Sequence, residues 1–271
     1  MDGNQLVTRV ATHTGNNKVN LINKKIMPKL YRVGGAVRDA ILGIDSKDID
    51  FTFVLDDLQQ TPEEGFQKMN DWMTVNGFEI FLRVSEMYTI RARFPKGDPN
   101  EKLVADFVMA RKEMGYSDDS RRPVLKLGTL ADDLIRRDFT INAMAEDENG
   151  DIIDLFGGQD DLRAGILRTP KHPDITFYED PLRIIRAMRF TITKDLVMCD
   201  DIWKAMKDPA LLGKLKPTVS GERIREEIAK MMKHDTVRAI RLITDCDDHM
   251  EGNLLKVLFK NGLWLKPTFE Q

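Results

Sequence analysis

Two aspartates one residue apart, Asp48-Ile49-Asp50, are the first residues in this chain whose types and spacing suggest chemistry. On an extended strand, alternation turns both carboxylates to one face and Ile49 to the other. Carboxylates a few Å apart repel each other unless a cation stands between them. An oxygen-rich pair of this kind suits Mg²⁺, which also takes phosphate oxygens of a substrate as ligands. Just upstream, Gly34-Gly35 stand before a helical stretch that carries Arg38 and Asp39. Two glycines let backbone N–H groups approach an anion closely, and Arg38, one turn in, can fork onto a phosphate. A tight turn and a solvated strand end would explain each motif alone; side by side they place a phosphate cradle next to a metal platform. A third acid, Asp106, interrupts the apolar run Leu103 to Val108, where a charge is costly unless paired or liganding. It completes a cluster of three carboxylates if its strand lies beside that of Asp50.

Two arginine-rich runs add donors. Arg136-Arg137-Asp138, followed by Asn142, is a compact group suited to a phosphate and a ribose hydroxyl, or to a salt-bridged helix end. In Glu179 to Phe190, Asp180 stands at a helix start with Pro181 in the first position, and Arg183, Arg186 and Arg189 follow at steps of three. That spacing spirals the arginines across one side while Leu182, Ile185 and Met188 pack the other. Asp180 beside Arg183 is an acceptor next to a donor. Cytosine and adenine present an exocyclic amino donor next to a ring-nitrogen acceptor, whereas uracil and guanine present a carbonyl there, so such a pair could accept C and A without a nucleic-acid template. Ser220 to Met232 reads as an N-capped amphipathic helix that supports the arginine helix. The histidines (His13, His172, His234, His249) are scattered without metal spacing, and neither a serine triad nor a Walker-type P-loop is present.

These groups need elements to hold them. Residues 1–28 read as a loose N-terminal arm. A strand is expected over Lys29–Val33, a helix over Ala36–Leu42 closed by Gly43, and a strand over Ile49–Leu55. Thr61 and Glu64 form a capping box for a helix over Pro62–Val75, and strands follow over Phe78–Val84, Tyr88–Phe94 and Leu103–Ala110. Beyond Gly128, Leu130–Arg136 and Ile141–Ala145 read as helical, Ile152-Ile153 as extended and Gly157-Gly158 as a turn. From Pro181 onward strand signals vanish, and apolar positions recur at helical spacing in Leu182–Phe190, Ile202–Met206, Ile224–Met232, Val237–Ile243 and Leu254–Phe259. The expected class is α+β: a head with a mixed sheet over 29–155, then an all-helical neck and short body over 156–271.

With 271 residues, 42% apolar and 31% charged, the chain can bury a substantial core, which excludes a disordered or low-complexity class. Its two cysteines, Cys199 and Cys246, exclude a disulfide scaffold and point to a reducing compartment. No apolar run approaches the roughly 20 residues that span a bilayer, and Met1–Met27 lacks a signal-peptide core, so a cytoplasmic protein without membrane association is expected. Net charge is −3, so any nucleic-acid surface must be a local patch.

Taken in order, Gly34 to Asp39 with Leu42-Gly43 and Asp48 to Asp50, then Arg136 to Ala145, Asp154 to Gly158, Glu179 to Phe190 and Ser220 to Met232 resemble the class II tRNA nucleotidyltransferases. This family comprises CCA-adding enzymes and related poly(A) polymerases, within the polymerase-β-like nucleotidyltransferase superfamily. The stretch from Asp106 through Gly128-Thr129 looks more like the eukaryotic branch than the common bacterial one. The resemblance implies a polymerase-β-like head. It also implies that Asp48 and Asp50 bind two Mg²⁺, with Asp106 as a third carboxylate near the primer 3′-hydroxyl. Gly34, Gly35 and Arg38 would hold the triphosphate. Arg136, Arg137 and Asp138, with Asn142 in the same motif, would contact triphosphate and ribose. Asp180 and Arg183 would template CTP and ATP, with Arg186 and Arg189 on the nucleotide side. The implied activity is template-independent addition of C and A to a tRNA 3′ end. The rivals are a poly(A), CC-only or A-only product and, outside enzymes, a catalytically silent nucleotide- or RNA-binding relic. A Gly-Arg-Arg-Phe-type run associated with the poly(A) branch is absent, which favours CCA addition. The family's long body and tail do not follow the last motif, so a homodimer or a partner protein is expected to replace them.

Overall fold

The computed structural model describes residues 28–46, 48–116 and 123–259. Strand β1 (Lys29–Val33) turns into helix α1 (Gly35–Ile41) through Gly34, whose φ of 74° and ψ of −138° suit glycine alone. Gly43, at φ 68°, ends the helix as expected. Strand β2 (Asp50–Val54) returns antiparallel to β1 and sets Asp50 opposite Val33. Helix α2 (Pro62–Val75) begins with the capping box read from the sequence: the Glu64 N–H donates to the Thr61 hydroxyl, and the Thr61 N–H donates to the Glu64 carboxylate. Strands β3 (Glu79–Val84), β4 (Thr89–Arg93) and β5 (Val104–Met109) form an antiparallel meander, and β5 docks parallel to β2. A hairpin of β6 (Arg111–Tyr116) and β7 (Pro123–Leu127) leads to helix α3 (Leu130–Ile135) and a second hairpin of β8 (Met144–Glu146) and β9 (Ile152–Asp154). The result is a seven-stranded mixed sheet in the order β3-β4-β5-β2-β1-β8-β9.

Alternation assigns the two faces of this sheet. On β5, Ala105, Phe107 and Met109 are buried while Asp106 and Val108 stand on the opposite face; on β4, Ile90 and Ala92 are buried while Arg91 and Arg93 are exposed. The apolar face packs with Phe53, Met69 and Met73 under α2, where the Trp72 ring meets Phe53 edge-on at 5.4 Å. Burying each such aromatic contributes roughly 2–3 kcal/mol. The polar face is left to build a site.

The second half is helical: α4 (Gly158–Ala164), then strand β10 (Ile166–Leu167), α5 (Pro173–Glu179), α6 (Leu182–Thr193), strand β11 (Val197–Met198), α7 (Asp200–Met206), α8 (Pro209–Thr218), α9 (Gly221–His234), α10 (Thr236–His249) and α11 (Leu254–Phe259). Helix α6 is its axis, with Ile184, Ile185, Ala187 and Met188 fully buried and α9 and α10 packed on it. Phe139 and Ile141, which follow α3, sit in this same core, Phe139 meeting Phe190 edge-on at 5.4 Å. Head and helical half are therefore joined by shared apolar packing rather than by a loose linker.

Two expectations need correction. Ile141–Ala145 is not a helix: Thr140–Asn142 makes one 3₁₀ turn, and Met144–Glu146 pairs with β1, Val33 opposite Ala145. The unfilled edge of β1 captures this segment, and tertiary pairing overrides the helix propensity of its alanines. Strand structure also persists beyond Pro181, because Val197–Met198 pairs in parallel with Ile166–Leu167; two residues are too few to leave a periodic signal. Residues 1–27 of the expected N-terminal arm, and Ser120-Arg121, lie outside the described residues. No helix among the described residues is long and apolar enough to cross a membrane.

Candidate active site

Between the polar face of the sheet and α6 lies an open cleft of about 670 Å³. Its lining brings together Gly34, Gly35, Arg38, Asp50, Asp106, Arg136, Arg137, Asp138, Asn142, Asp180, Arg183, Arg186 and Arg189, which is every site residue expected from the sequence except Asp48. Arg223 of α9 also reaches it. Asp48 is exposed and lies just before β2 rather than on it, so the strand expected from Ile49 begins one residue later and Asp48 contributes its charge from the rim.

The carboxylates are placed by strand register. Asp50 and Asp106 are direct partners on the parallel strands β2 and β5 and share the cleft face. Burial raises the pKa of Asp50, Asp106 and Asp48 push it further in that direction, and Arg137 opposes them. Asp106 is half-buried and held by Arg91 of β4, Nε to Oδ1 at 2.9 Å and Nη2 to Oδ2 at 3.0 Å. Among the described residues, no three acidic, histidine or cysteine side chains form a ready metal cage. The donor set suits an ion bound by one or two carboxylates and completed by substrate phosphate, the usual manner for Mg²⁺.

The wall beside these acids is cationic. Arg38 is buried on α1; it donates to Asn142 Oδ1 and lies against Asp39, which also accepts from Lys194, just past the end of α6, at 2.9 Å. Burial disfavours the charged form of Asp39, yet Lys194 and Arg38 outweigh it and hold its pKa below the usual carboxyl value. A Cβ on Gly34 would lie 2.8 Å from Arg137 Nη1, and one on Gly35 would lie 3.3 Å from Arg38 Nη2. The glycines thus let two guanidiniums close on the turn. Arg136 and Arg137 share one buried anchor, Asp133, which accepts Arg136 Nε at 3.0 Å, Arg137 Nη2 at 2.9 Å and the Thr52 hydroxyl at 2.8 Å. Burial works against the Asp133 anion, but Arg137 and Arg136 outweigh it and bring its pKa to about 2. Arg137 Nε is buried without a hydrogen-bond partner among the described residues, an unanswered donor on a cleft-lining residue.

The far wall belongs to α6 and α9. Asp138 is buried, accepts Asn142 Nδ2 at 2.9 Å and takes Arg186 Nε at 2.9 Å and Nη2 at 2.6 Å. Arg186 also reaches Glu227 of α9 at 3.2 Å, and Glu227 binds Arg189 through its other oxygen. The Arg189 guanidinium lies 4.1 Å above the Phe190 ring. Asp180 is fixed at both oxygens, by the Leu182 N–H at 3.2 Å and by Arg223 Nη2 at 3.0 Å. Arg183 is not the partner of Asp180 here: it donates to the backbone oxygens of Arg136 at 2.6 Å and Thr176 at 3.1 Å, strapping α6 to the end of α3. Eight arginines and four aspartates line the cleft. Asp133 and Glu227 neutralise part of the excess from behind, and what remains favours a polyanion.

Asp133, Glu227, Arg223, Arg91, Thr52 and Lys194 belong to this network and were not singled out as site residues from the sequence. Asp133 stands three and four residues before Arg136 and Arg137, the spacing of helical ion pairs, and was legible in principle. Glu227 is an acid on the apolar stripe formed by Ile224, Ile228 and Met231, a placement that demands a buried cation. Arg223 and Arg91 carry no such mark.

Residues 30–168 match the family described as "Poly A polymerase head domain". Similar curated proteins include the Multifunctional CCA protein of Neisseria gonorrhoeae (strain NCCP11945), 37% identical over 224 residues that cover 80% of this chain and 47% of the relative. The Multifunctional CCA protein of Nitrosomonas europaea is 36% identical over 237 residues, covering 85% of this chain and 49% of the relative. Among solved structures, the Bacillus stearothermophilus CCA-adding enzyme in complex with CTP superposes with a TM-score of 0.63 at 29% identity, covering 80% of this chain and 48% of that one. The Thermotoga maritima CCA-adding enzyme complexed with tRNA gives 0.61 at 26%, covering 86% and 49%. The chain therefore spans about half the length of the curated relatives it matches. A mixed-sheet head, a helical continuation and the ordered match of sequence agree on one assignment: the chain belongs to the head family of CCA-adding enzymes and poly(A) polymerases, a branch of the class II nucleotidyltransferases.

Proposed function

We propose that the cleft binds CTP and ATP and adds C and A to the 3′ end of a tRNA without a nucleic-acid template, releasing pyrophosphate. The observation that carries this reading is the register of Asp50 and Asp106 at the foot of a cleft whose other walls are arginines. The similar Bacillus and Thermotoga proteins, described with CTP and with tRNA, support it. In this reading residues 29–155 are the catalytic head, and 156–271 supply base recognition and RNA contacts.

Family members use divalent metal ions generally, and Asp50 and Asp106, with Asp48 at the rim, would hold them here. The chemistry a bound divalent cation supplies is activation of the primer 3′-hydroxyl and neutralisation of the departing pyrophosphate. The remaining work falls to side chains of this chain. Arg38, Arg136 and Arg137 grip the triphosphate from the side of the Gly34-Gly35 turn, and the unanswered Nε of Arg137 gains a partner. Asp138 and Asn142 hold Arg186 and Arg38, and in this reading they meet the ribose. Asp180 accepts the exocyclic amino group of cytosine or adenine, and its carboxylate is already oriented by Leu182 N–H and Arg223. The carbonyl of uracil or guanine would face that carboxylate with two acceptors opposed, which costs affinity. Arg183 serves the pair in one of two ways: by turning toward the base, or by holding α6 against Arg136 as it does here.

Transfer itself is the test. Labelled CTP or ATP, Mg²⁺ and a tRNA transcript lacking its terminal CCA should give label in the RNA with one pyrophosphate per nucleotide. Asp50→Asn should abolish both while leaving the circular-dichroism spectrum unchanged. Full transfer by Asp50→Asn would remove the carboxylate assignment.

A further inference from the structure

We infer that Arg91 is a resident counterion that competes with the divalent cation for Asp106, so that cation binding to this cleft waits for the phosphates of the nucleotide. The inference rests on the functional reading above and goes beyond it by assigning a role to a residue that belongs to none of the motifs.

The observation is one of register. Strand β4 sets Arg91 opposite Asp106, and β2 sets Asp50 opposite the same Asp106 from the other side. Arg91, Asp106 and Asp50 therefore form a single transverse row on the face away from Ile90, Ala92, Ala105 and Phe107, with neighbouring strands about 4.8 Å apart. Within the row the guanidinium takes both oxygens of Asp106 in a fork, at 2.9 and 3.0 Å. The in-plane lone pairs used by that fork are those a hard cation would need. Asp50 is not claimed in this way: among the described residues Arg137 and Arg91 act on it through their charges, without a hydrogen bond. Among the described residues the row thus offers a cation one carboxylate without a hydrogen-bonded side chain, one occupied carboxylate and a positive charge at its end.

The pair is built to yield. The side chain of Arg91 is 52% exposed and that of Asp106 31%, so solvent screens the attraction and can take up the released guanidinium. A cation arriving with a triphosphate brings its own oxygen ligands and needs fewer from the protein. The same cation arriving alone must displace Arg91 to gain a second carboxylate. Arg91 contributes nothing to the apolar core, whose β4 members are Ile90 and Ala92; its contacts at this register are those of the charge row.

Mn²⁺ binding to nucleotide-free protein, followed by the electron paramagnetic resonance of the free ion, tests this directly. Arg91→Ala should bind Mn²⁺ about ten-fold more tightly than the wild type, a difference of about 1.4 kcal/mol. Arg91→Lys, which keeps the charge and loses the fork, should fall between them. Arg91→Ala combined with Asp106→Asn should return to the affinity of Asp106→Asn alone, and saturating CTP should narrow the gap between wild type and Arg91→Ala. Equal or weaker binding by Arg91→Ala, or a gain that persists in the double variant, overturns the inference. A gap unchanged by CTP overturns the dependence on nucleotide. Because the readout is ion binding, a wild type that failed to extend tRNA would count against the proposed function and leave this result standing.

Discussion

Asp133 has no contact with solvent, yet two guanidiniums of the cleft wall depend on it, which makes Asp133→Asn a sharp probe of how the site is held. Its pKa is brought to about 2 from an ordinary 3.8, and that gap corresponds to about 2 kcal/mol of preference for the ion in the folded state. Replacement by Asn removes the charge and leaves Arg136 and Arg137 facing each other. Breaking a buried pair in this way costs about 3–5 kcal/mol. The guanidinium side chains keep 23% and 20% of their exposure, so water relieves part of the loss and the lower figure, about 3 kcal/mol, is expected. For a chain of this size that lowers the melting temperature by about 6–12 °C. The pH dependence has a definite sign. A depressed carboxyl pKa gives stability that is full above 3.8 and is lost as pH falls through about 2, so urea-unfolding midpoints of wild type and Asp133→Asn should differ most at pH 5–7 and converge on acidification. About half of the ionic part should be gone at pH 3. Equal midpoints at pH 7, or a gap that widens toward pH 3, would refute the anchoring role.

Other consequences follow from the same geometry. Glu227→Gln leaves Arg186 and Arg189 with a weaker, neutral acceptor and should raise KM for CTP and ATP by about ten-fold or more with a smaller change in kcat, as expected if it positions rather than reacts; an unchanged KM contradicts this. Asp180→Ala should relax discrimination against UTP and GTP, measured as the ratio of kcat/KM values, whereas unchanged selectivity among the four nucleotides contradicts the template reading. Asp50→Asn, which relieves a half-buried charge facing Asp106 and Asp48, should stabilise metal-free protein by about 0.5–2 kcal/mol at pH 7 in chemical denaturation even as transfer is lost. A lower midpoint would mean that Asp50 supports the fold. Phe107→Ala, in the centre of the head's apolar face, should cost about 3–5 kcal/mol, and a loss under 1 kcal/mol would contradict the packing described.

Local chemistry was legible in the sequence where it depends on neighbours along the chain. The Thr61 and Glu64 capping box, the Gly34-Gly35 turn and the three-residue spacing of Arg183, Arg186 and Arg189 all rest on contacts within a turn or two, and the structure places each as read. The juxtaposition of Asp50 and Asp106 was legible only as a condition, because it requires β5 to pass β3 and β4 and dock parallel to β2, a pairing that no local pattern encodes. The same limit explains Met144–Glu146, whose alanine-rich stretch favours a helix until the edge of β1 captures it. It explains Asp180 as well: sequence proximity paired it with Arg183, while packing of α9 on α6 brings Arg223 from 43 residues away. Buried acids such as Asp133 and Glu227 lie between these cases. Their types are wrong for their apolar surroundings, and that mismatch is itself the signal that a cation is near. The eukaryotic character expected around Asp106 to Thr129 gains no support from the bacterial relatives found.

The central claim is transfer of C and A by a chain that spans about half the length of the curated relatives it matches. It is tested most directly by sequencing the 3′ ends of a CCA-less tRNA after incubation with the protein, Mg²⁺ and all four nucleoside triphosphates. The account predicts addition of C, C and A followed by a stop. A ladder of A, a product ending at CC or carrying A alone, or no added nucleotide on any RNA would contradict it.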